Sequence, residues 1–176
     1  MGMKTIRRWF PVIVVCAFVL IAVGALFWLR WLEGNYDRPY VEVEKGLYIG
    51  SAVDEPPPGT QAVVNLCGRP DPYQVQAVLW EPVFEAGKEP NLDWLRRVVA
   101  FIAEQRGAGR TTYVHCLAGM NRSGAAVTAY LMKEHGWGRD EALAFVQGRR
   151  SQVQPNPTLM RLLGEWEQIL KANPGD

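Results

Sequence analysis

The run Val114–Gly124, VHCLAGMNRSG, places a cysteine, an arginine, a serine and two glycines within nine consecutive positions. Packing alone does not ask for this combination, but anion chemistry does. Thr111–Cys116 reads as a strand, Gly119 as part of a turn, and Arg122–Gly136 as a helix closed by Gly136. Successive backbone amides in such a turn can point inward and form an anion nest, and the start of the helix adds its positive end. A thiol at Cys116 would sit at the mouth of that nest and lose its proton below the free value of about 8.5. The thiolate could then attack a bound phosphate monoester in line. Leu117, Ala118, Gly119, Met120 and Asn121 would line the phosphate cradle. Arg122 would grip two phosphate oxygens with its planar fork. The Ser123 hydroxyl would donate to the sulfur and ease its departure, and His115 would lie behind the loop and help fix it.

The elements needed to hold this loop are legible along the chain. Gly46–Ser51 reads as a strand and turn, Asp54–Thr60 as a proline-stiffened loop, and Gln61–Cys67 and Gln76–Trp80 as strands. Leu92–Gln105 has helical spacing of its apolar residues. A further helix starts near Asp140, and Asn156-Pro157 is a cap and first-turn pair for a last helix reaching about Leu170. Strands come mostly first and helices mostly later. The expected fold is α/β, with a small central mixed sheet flanked by helices.

The amino-terminal part differs in composition. Residues 10–29 carry no charge, and 20 residues at about 1.5 Å each reach roughly the 30 Å of a bilayer core. Trp9, Trp28 and Trp31 flank the run. The expectation is an N-terminal transmembrane helix within residues 1–32, a linker over 33–45, and the catalytic domain over 46–172. A cleaved signal peptide is the alternative. Lys4, Arg7 and Arg8 precede the span, so the positive-inside rule puts the N-terminus in the cytoplasm and the domain on the far side.

The chain has 19 basic and 18 acidic residues among 176. Residues 1–32 hold four of the bases and no acid, leaving 15 bases against 18 acids in the remainder. A mildly acidic domain lacks the field of a nucleic-acid binder, so no nucleic-acid partner is expected. Three cysteines and two histidines in these positions match no zinc pattern, and neither metal nor cofactor is expected.

The segment HCLAGMNRS resembles the signature of the cysteine-dependent protein tyrosine and dual-specificity phosphatases: His-Cys, five residues, then Arg-Ser or Arg-Thr. KGLYIGS, VVNLC and VQPNPTLMRLL resemble that family's opening strand, second strand and closing segment, so the likeness covers roughly residues 40–170. It implies the dual-specificity phosphatase fold and hydrolysis through a phosphocysteine, with phosphorylated protein as the substrate class. It also implies a general acid on a separate loop, about thirty residues before the cysteine. The family's Pro-x-x-Asp pattern falls on Pro82-Val83-Phe84-Glu85, which makes Glu85 the candidate acid, with Glu81 second and Asp71 third. An ordinary exposed loop carboxylate is the alternative reading of Glu85. Cys67 falls where some lipid phosphatases of this superfamily keep a second cysteine, which implies a redox partner for Cys116; a small buried strand residue is the alternative. Arg69, Arg149 and Arg150 are candidates for the pocket mouth, with solvated surface arginine as the alternative. Other activities remain open: a phospholipid phosphatase of the phosphatidylglycerophosphate type, an RNA 5′-triphosphatase-like enzyme, a rhodanese or arsenate reductase, or a non-catalytic phosphate-binding module.

Overall fold

The computed structural model describes residues 14, 17–26, 28, 38–84 and 89–173. The chain divides into two units, Met1–Asp37 and Arg38–Asp176. In the first, residues 17–26 are helical and expose Phe18, Leu20, Ile21, Val23 and Leu26. No helix among the described residues is long and apolar enough to cross a membrane. Part of the expected span 10–29 lies outside the described residues, including residues 10–13, 15, 16, 27 and 29.

Among its described residues, the second unit has a five-stranded mixed sheet and four helices. The elements are β1 (Tyr40–Glu44), β2 (Leu47–Gly50), β3 (Ala62–Asn65), β4 (Ala77–Trp80), α1 (Leu92–Gly107), β5 (Thr112–His115), α2 (Arg122–His135), α3 (Arg139–Arg149) and α4 (Pro157–Ala172). The strand order is β1-β2-β5-β3-β4. Only β1 and β2 run antiparallel; β2, β5, β3 and β4 are mutually parallel. The expected mixed sheet flanked by helices is what forms.

One expectation changes. Tyr40–Glu44, assigned to the polar linker, is an edge strand. Its acids mask an alternating pattern in which Val43 is buried and Glu42 exposed. Gly46 closes the β1–β2 turn with φ 75°, a conformation that suits glycine, and its amide donates to Glu42 Oε1 at 2.7 Å.

β3 and β5 are buried at every position, as parallel strands covered on both faces must be. On one face the covering comes from Leu95, Val98, Val99 and Ile102 of α1 and from the nearly all-buried first three turns of α2, two helices that pack against each other. Each such aliphatic side chain contributes about 1.5–3 kcal/mol on leaving water. Asn91 caps α1 by accepting from the Trp94 amide at 2.9 Å, and Asn156 caps α4 by accepting from the Leu159 amide at 3.0 Å. Gly136 ends α2 in the left-handed region, as its sequence position implies. This packing fixes β5 at the centre of the sheet and α2 directly after it. The link between them is the cysteine loop.

Candidate active site

β5 is hydrogen-bonded on both edges, so Cys116 leaves the sheet from its most constrained position. The Cys116 amide donates to Gly50 O at 3.3 Å, and the Leu66 amide donates to His115 O at 3.0 Å. The chain then turns through Gly119, whose φ is 67°. A Cβ at Gly119 would lie 2.4 Å from the Gly50 carbonyl carbon and 2.7 Å from the Ser51 nitrogen. Any side chain there would push β2 and the loop apart.

A nest needs its carbonyls turned away, and each carbonyl from Leu117 to Asn121 has a donor. Leu117 O accepts from the Ala52 amide at 3.3 Å. Ala118 O and Gly119 O accept from the Arg150 guanidinium at 3.2 and 2.9 Å. Met120 O accepts from the Gln154 amide, and Asn121 O from the Ala125 amide, both at 3.0 Å. With these carbonyls held elsewhere, the loop amides are left to face the sulfur and whatever anion sits above it.

Arg150 is 3% exposed. Its third contact, Nη1 donating to Arg38 O at 2.8 Å, completes the clamp. It therefore does not line the pocket mouth as expected; it supports the loop from behind. No sequence pattern announces this, because the Arg149-Arg150 pair reads as surface charge. Arg149 does lie outward, with its guanidinium 5.4 Å from the centre of the Phe145 ring. Asn121 also has a role that its position in the signature did not reveal. Its Oδ1 accepts from the Asn156 amide at 2.7 Å, tying the loop to the cap of α4.

Cys116 is buried, with Sγ 3.3 Å from Ser123 Oγ. Burial is the largest single influence on the thiol and pushes it up. The Ser123 hydroxyl, the amides of Ser123 and Met120 and the Arg122 charge together outweigh burial, so the thiol is held below its ordinary range. Arg122 is itself 9% exposed and braced, with Nη1 donating to Leu66 O at 2.7 Å and Val83 O at 3.2 Å. Its contacts join the cysteine loop to the end of β3 and to the 81–84 segment. Leu117 is 60% exposed and Met120 half-buried, giving the cradle an apolar rim.

His115 is fully buried, stacked on Tyr113 with ring centres 5.1 Å apart. Its Nε2 lies 3.1 Å from Asp71 Oδ1, and its Nδ1 lies 3.8 Å from Cys67 Sγ. Asp71, the third candidate for the acid, is thus occupied by His115. Glu81, the second candidate, receives Arg97 Nε and Nη2 at 2.7 and 3.1 Å. Its carboxylate is engaged by Arg97 in a two-pronged ion pair, and this geometry sets Glu81 aside as the acid. Glu85 lies outside the described residues. Arg69 is exposed and lines a pocket of about 200 Å³ together with Asp54, Cys67 and Asp71. Among the described residues no group of three or more His, Cys, Asp or Glu side chains is placed to hold a metal ion.

Residues 59–169 match the dual specificity phosphatase catalytic domain. The chain is also 30% identical over 165 residues to dual specificity protein phosphatase 1B of Arabidopsis thaliana, covering 88% of this chain and 96% of that one. The chain belongs to the dual specificity phosphatase family. It therefore carries the catalytic domain of a cysteine-dependent protein phosphatase, a hydrolase of phosphoric monoesters. Human protein phosphatase Slingshot homolog 2 is 44% identical over 73 residues, 42% of this chain but 5% of that protein. A mouse putative dual specificity phosphatase, solved complexed with zinc tungstate, superposes with a TM-score of 0.70 at 30% identity. That likeness covers 77% of this chain and 91% of the mouse one.

Proposed function

We propose that this dual specificity phosphatase domain dephosphorylates phosphotyrosine and phosphoserine/threonine in proteins through a phosphocysteine on Cys116. The observation that carries the reading is the outward hydrogen bonding of each carbonyl from Leu117 to Asn121 around a buried thiol held below its ordinary range. In the first step Cys116 Sγ attacks phosphorus in line, and the bond to the substrate oxygen breaks. Arg122 and the loop amides hold the charge on the three equatorial oxygens. Glu85 protonates the leaving oxygen. In the second step Glu85 takes a proton from water, the water oxygen attacks phosphorus, and the Ser123 hydroxyl stabilises the departing thiolate. Cys67 is the proposed redox partner of Cys116.

The apolar rim at Leu117 and Met120 suits the body of a peptide side chain better than a polyphosphorylated headgroup. The proposed setting is a membrane surface, with residues 10–29 as anchor, the N-terminus cytoplasmic and the domain on the far side.

A substrate panel tests the reading. It contains an activated aryl phosphate, phosphopeptides, phosphatidylglycerophosphate and 5′-triphosphorylated RNA, each run with the native chain, Cys116→Ser and Glu85→Gln. The expected result is turnover of aryl phosphate and phosphopeptides, lowered at least about 10⁴-fold in Cys116→Ser. Glu85→Gln should slow alkyl phosphopeptides far more than the aryl phosphate, whose leaving group needs little protonation. Preference for the phospholipid or the RNA would replace the protein substrate. Equal losses on both phosphopeptide and aryl phosphate would remove Glu85 from the acid role.

A further inference from the structure

Behind the cysteine loop lies a second nucleophile that the phosphoryl-transfer steps do not use. Cys67 follows β3, and its backbone is fixed on both sides. Its amide donates to Asn65 Oδ1 at 2.7 Å, and its carbonyl accepts from Trp80 Nε1 at 2.7 Å. Its Sγ lies 3.8 Å from His115 Nδ1. On the other side of the same ring, His115 Nε2 lies 3.1 and 3.3 Å from the two Asp71 carboxylate oxygens. A carboxylate only accepts, so Nε2 carries a proton and, in the neutral ring, Nδ1 presents its lone pair to the Cys67 thiol. The order is thiol, imidazole, carboxylate, which is the arrangement that activates a cysteine toward electrophiles.

The surroundings favour the transfer. Tyr113 stacks on the imidazole and fixes its plane. Tyr73, beside Asp71 and Cys67, has its phenol pushed up by burial first and by those two acids next, so it adds no competing negative charge. Cys67 is 2% exposed, yet it lines the roughly 200 Å³ pocket with Ala52, Asp54, Arg69 and Asp71. The pocket gives a small polar electrophile a route to the sulfur.

We propose that Cys67 is a peroxide-reactive thiol in its own right, activated by His115 and Asp71 and reached through this pocket rather than through the phosphate cradle. In the reaction His115 Nδ1 takes the thiol proton. The sulfur then attacks one oxygen of hydrogen peroxide, an S–O bond forms and the O–O bond breaks. The departing hydroxide takes the proton back from Nδ1 and leaves as water. Sulfur is oxidised by two electrons to the sulfenic acid and the peroxide is reduced by two. The added oxygen is placed against His115, the residue immediately before the nucleophile. This goes beyond the redox-partner role, in which Cys116 is oxidised first and Cys67 only resolves it.

The test exposes the full chain to brief, sub-stoichiometric hydrogen peroxide with dimedone present, and locates the adduct by mass spectrometry. The native chain should carry label at Cys67, and Cys116→Ser should carry it at an undiminished rate. Asp71→Asn in the Cys116→Ser background should label Cys67 more slowly by about tenfold or more, with its melting curve confirming the fold. If Asp71→Asn does not fold, the native chain and Cys116→Ser decide alone. No label at Cys67 in Cys116→Ser overturns the proposal, as does an unchanged rate in folded Asp71→Asn. Turnover of the aryl phosphate, read on untreated protein, reports separately on the phosphatase reading.

Discussion

At the scale of single residues, one hydroxyl decides how much thiolate the site holds. Burial opposes the anion at Cys116, and the Ser123 hydroxyl is the first of the groups that overcome it. Ser123→Ala removes a donor to the thiolate and leaves the thiol form untouched. The balance shifts toward the thiol, and the midpoint moves to higher pH. The check is the pH dependence of Cys116 alkylation by iodoacetate. In the native chain the rate should reach half its maximum below the free-thiol value of about 8.5, and Ser123→Ala should raise that midpoint. An unchanged midpoint would assign the depression to the amides and Arg122. Cys116, Arg122 and Ser123 were readable from the sequence because the chemistry fixes their types and spacing. The partners of Asp71 and Glu81 were not. A carboxylate's role depends on which cation or imidazole the fold brings to it, and Arg97 and His115 lie 16 and 44 positions away.

At the scale of elements, the site depends on a strand, a loop and a helix held from outside the signature. Arg150, at the end of α3, donates to three carbonyls from Arg38, Ala118 and Gly119. Arg150→Lys keeps the charge but replaces a planar fork with a single ammonium, so at least one of the three carbonyls loses its donor. The Gly119 carbonyl, the buried one of the three, would cost about 1–3 kcal/mol if left without a donor. The loop then relaxes its outward-facing carbonyls and the nest loosens. The expected outcome is a fall of at least about tenfold in kcat/KM for aryl phosphate, with a protein that still melts cooperatively. Native kcat/KM in that variant would mean that the loop holds itself. The helices and four of the strands follow from apolar periodicity, caps and glycine stops. β1 was missed because Glu42 and Glu44 dominate a five-residue run whose alternation is visible only once β2 supplies its partner. The Arg150 clamp was missed for a related reason: nothing local distinguishes an arginine that will be buried by a distant loop from one that will be solvated.

At the scale of the whole molecule, the proposed arrangement is a mildly acidic catalytic domain anchored to a bilayer by residues 10–29, with a cleaved signal peptide as the alternative. The prediction uses the full chain in cells. It should stay in the membrane pellet through an alkaline carbonate wash and leave it only with detergent. Recovery in the wash would remove the anchor from the account and leave the catalytic chemistry untouched. The fold supplies the rest of the design. A fully buried β5 sets the sulfur, the buried α2 sets the arginine, and the C-terminal segment through Arg150, Gln154 and Asn156 closes the back of the loop.

The most direct test of the phosphocysteine mechanism is to catch the covalent intermediate. The chain is mixed with a ³²P-labelled aryl phosphate, quenched in acid within the first turnover and digested. Radioactive phosphate on the peptide carrying Cys116, absent from Cys116→Ser, is the result expected. Phosphate on another residue, or unimpaired turnover by Cys116→Ser, would contradict it.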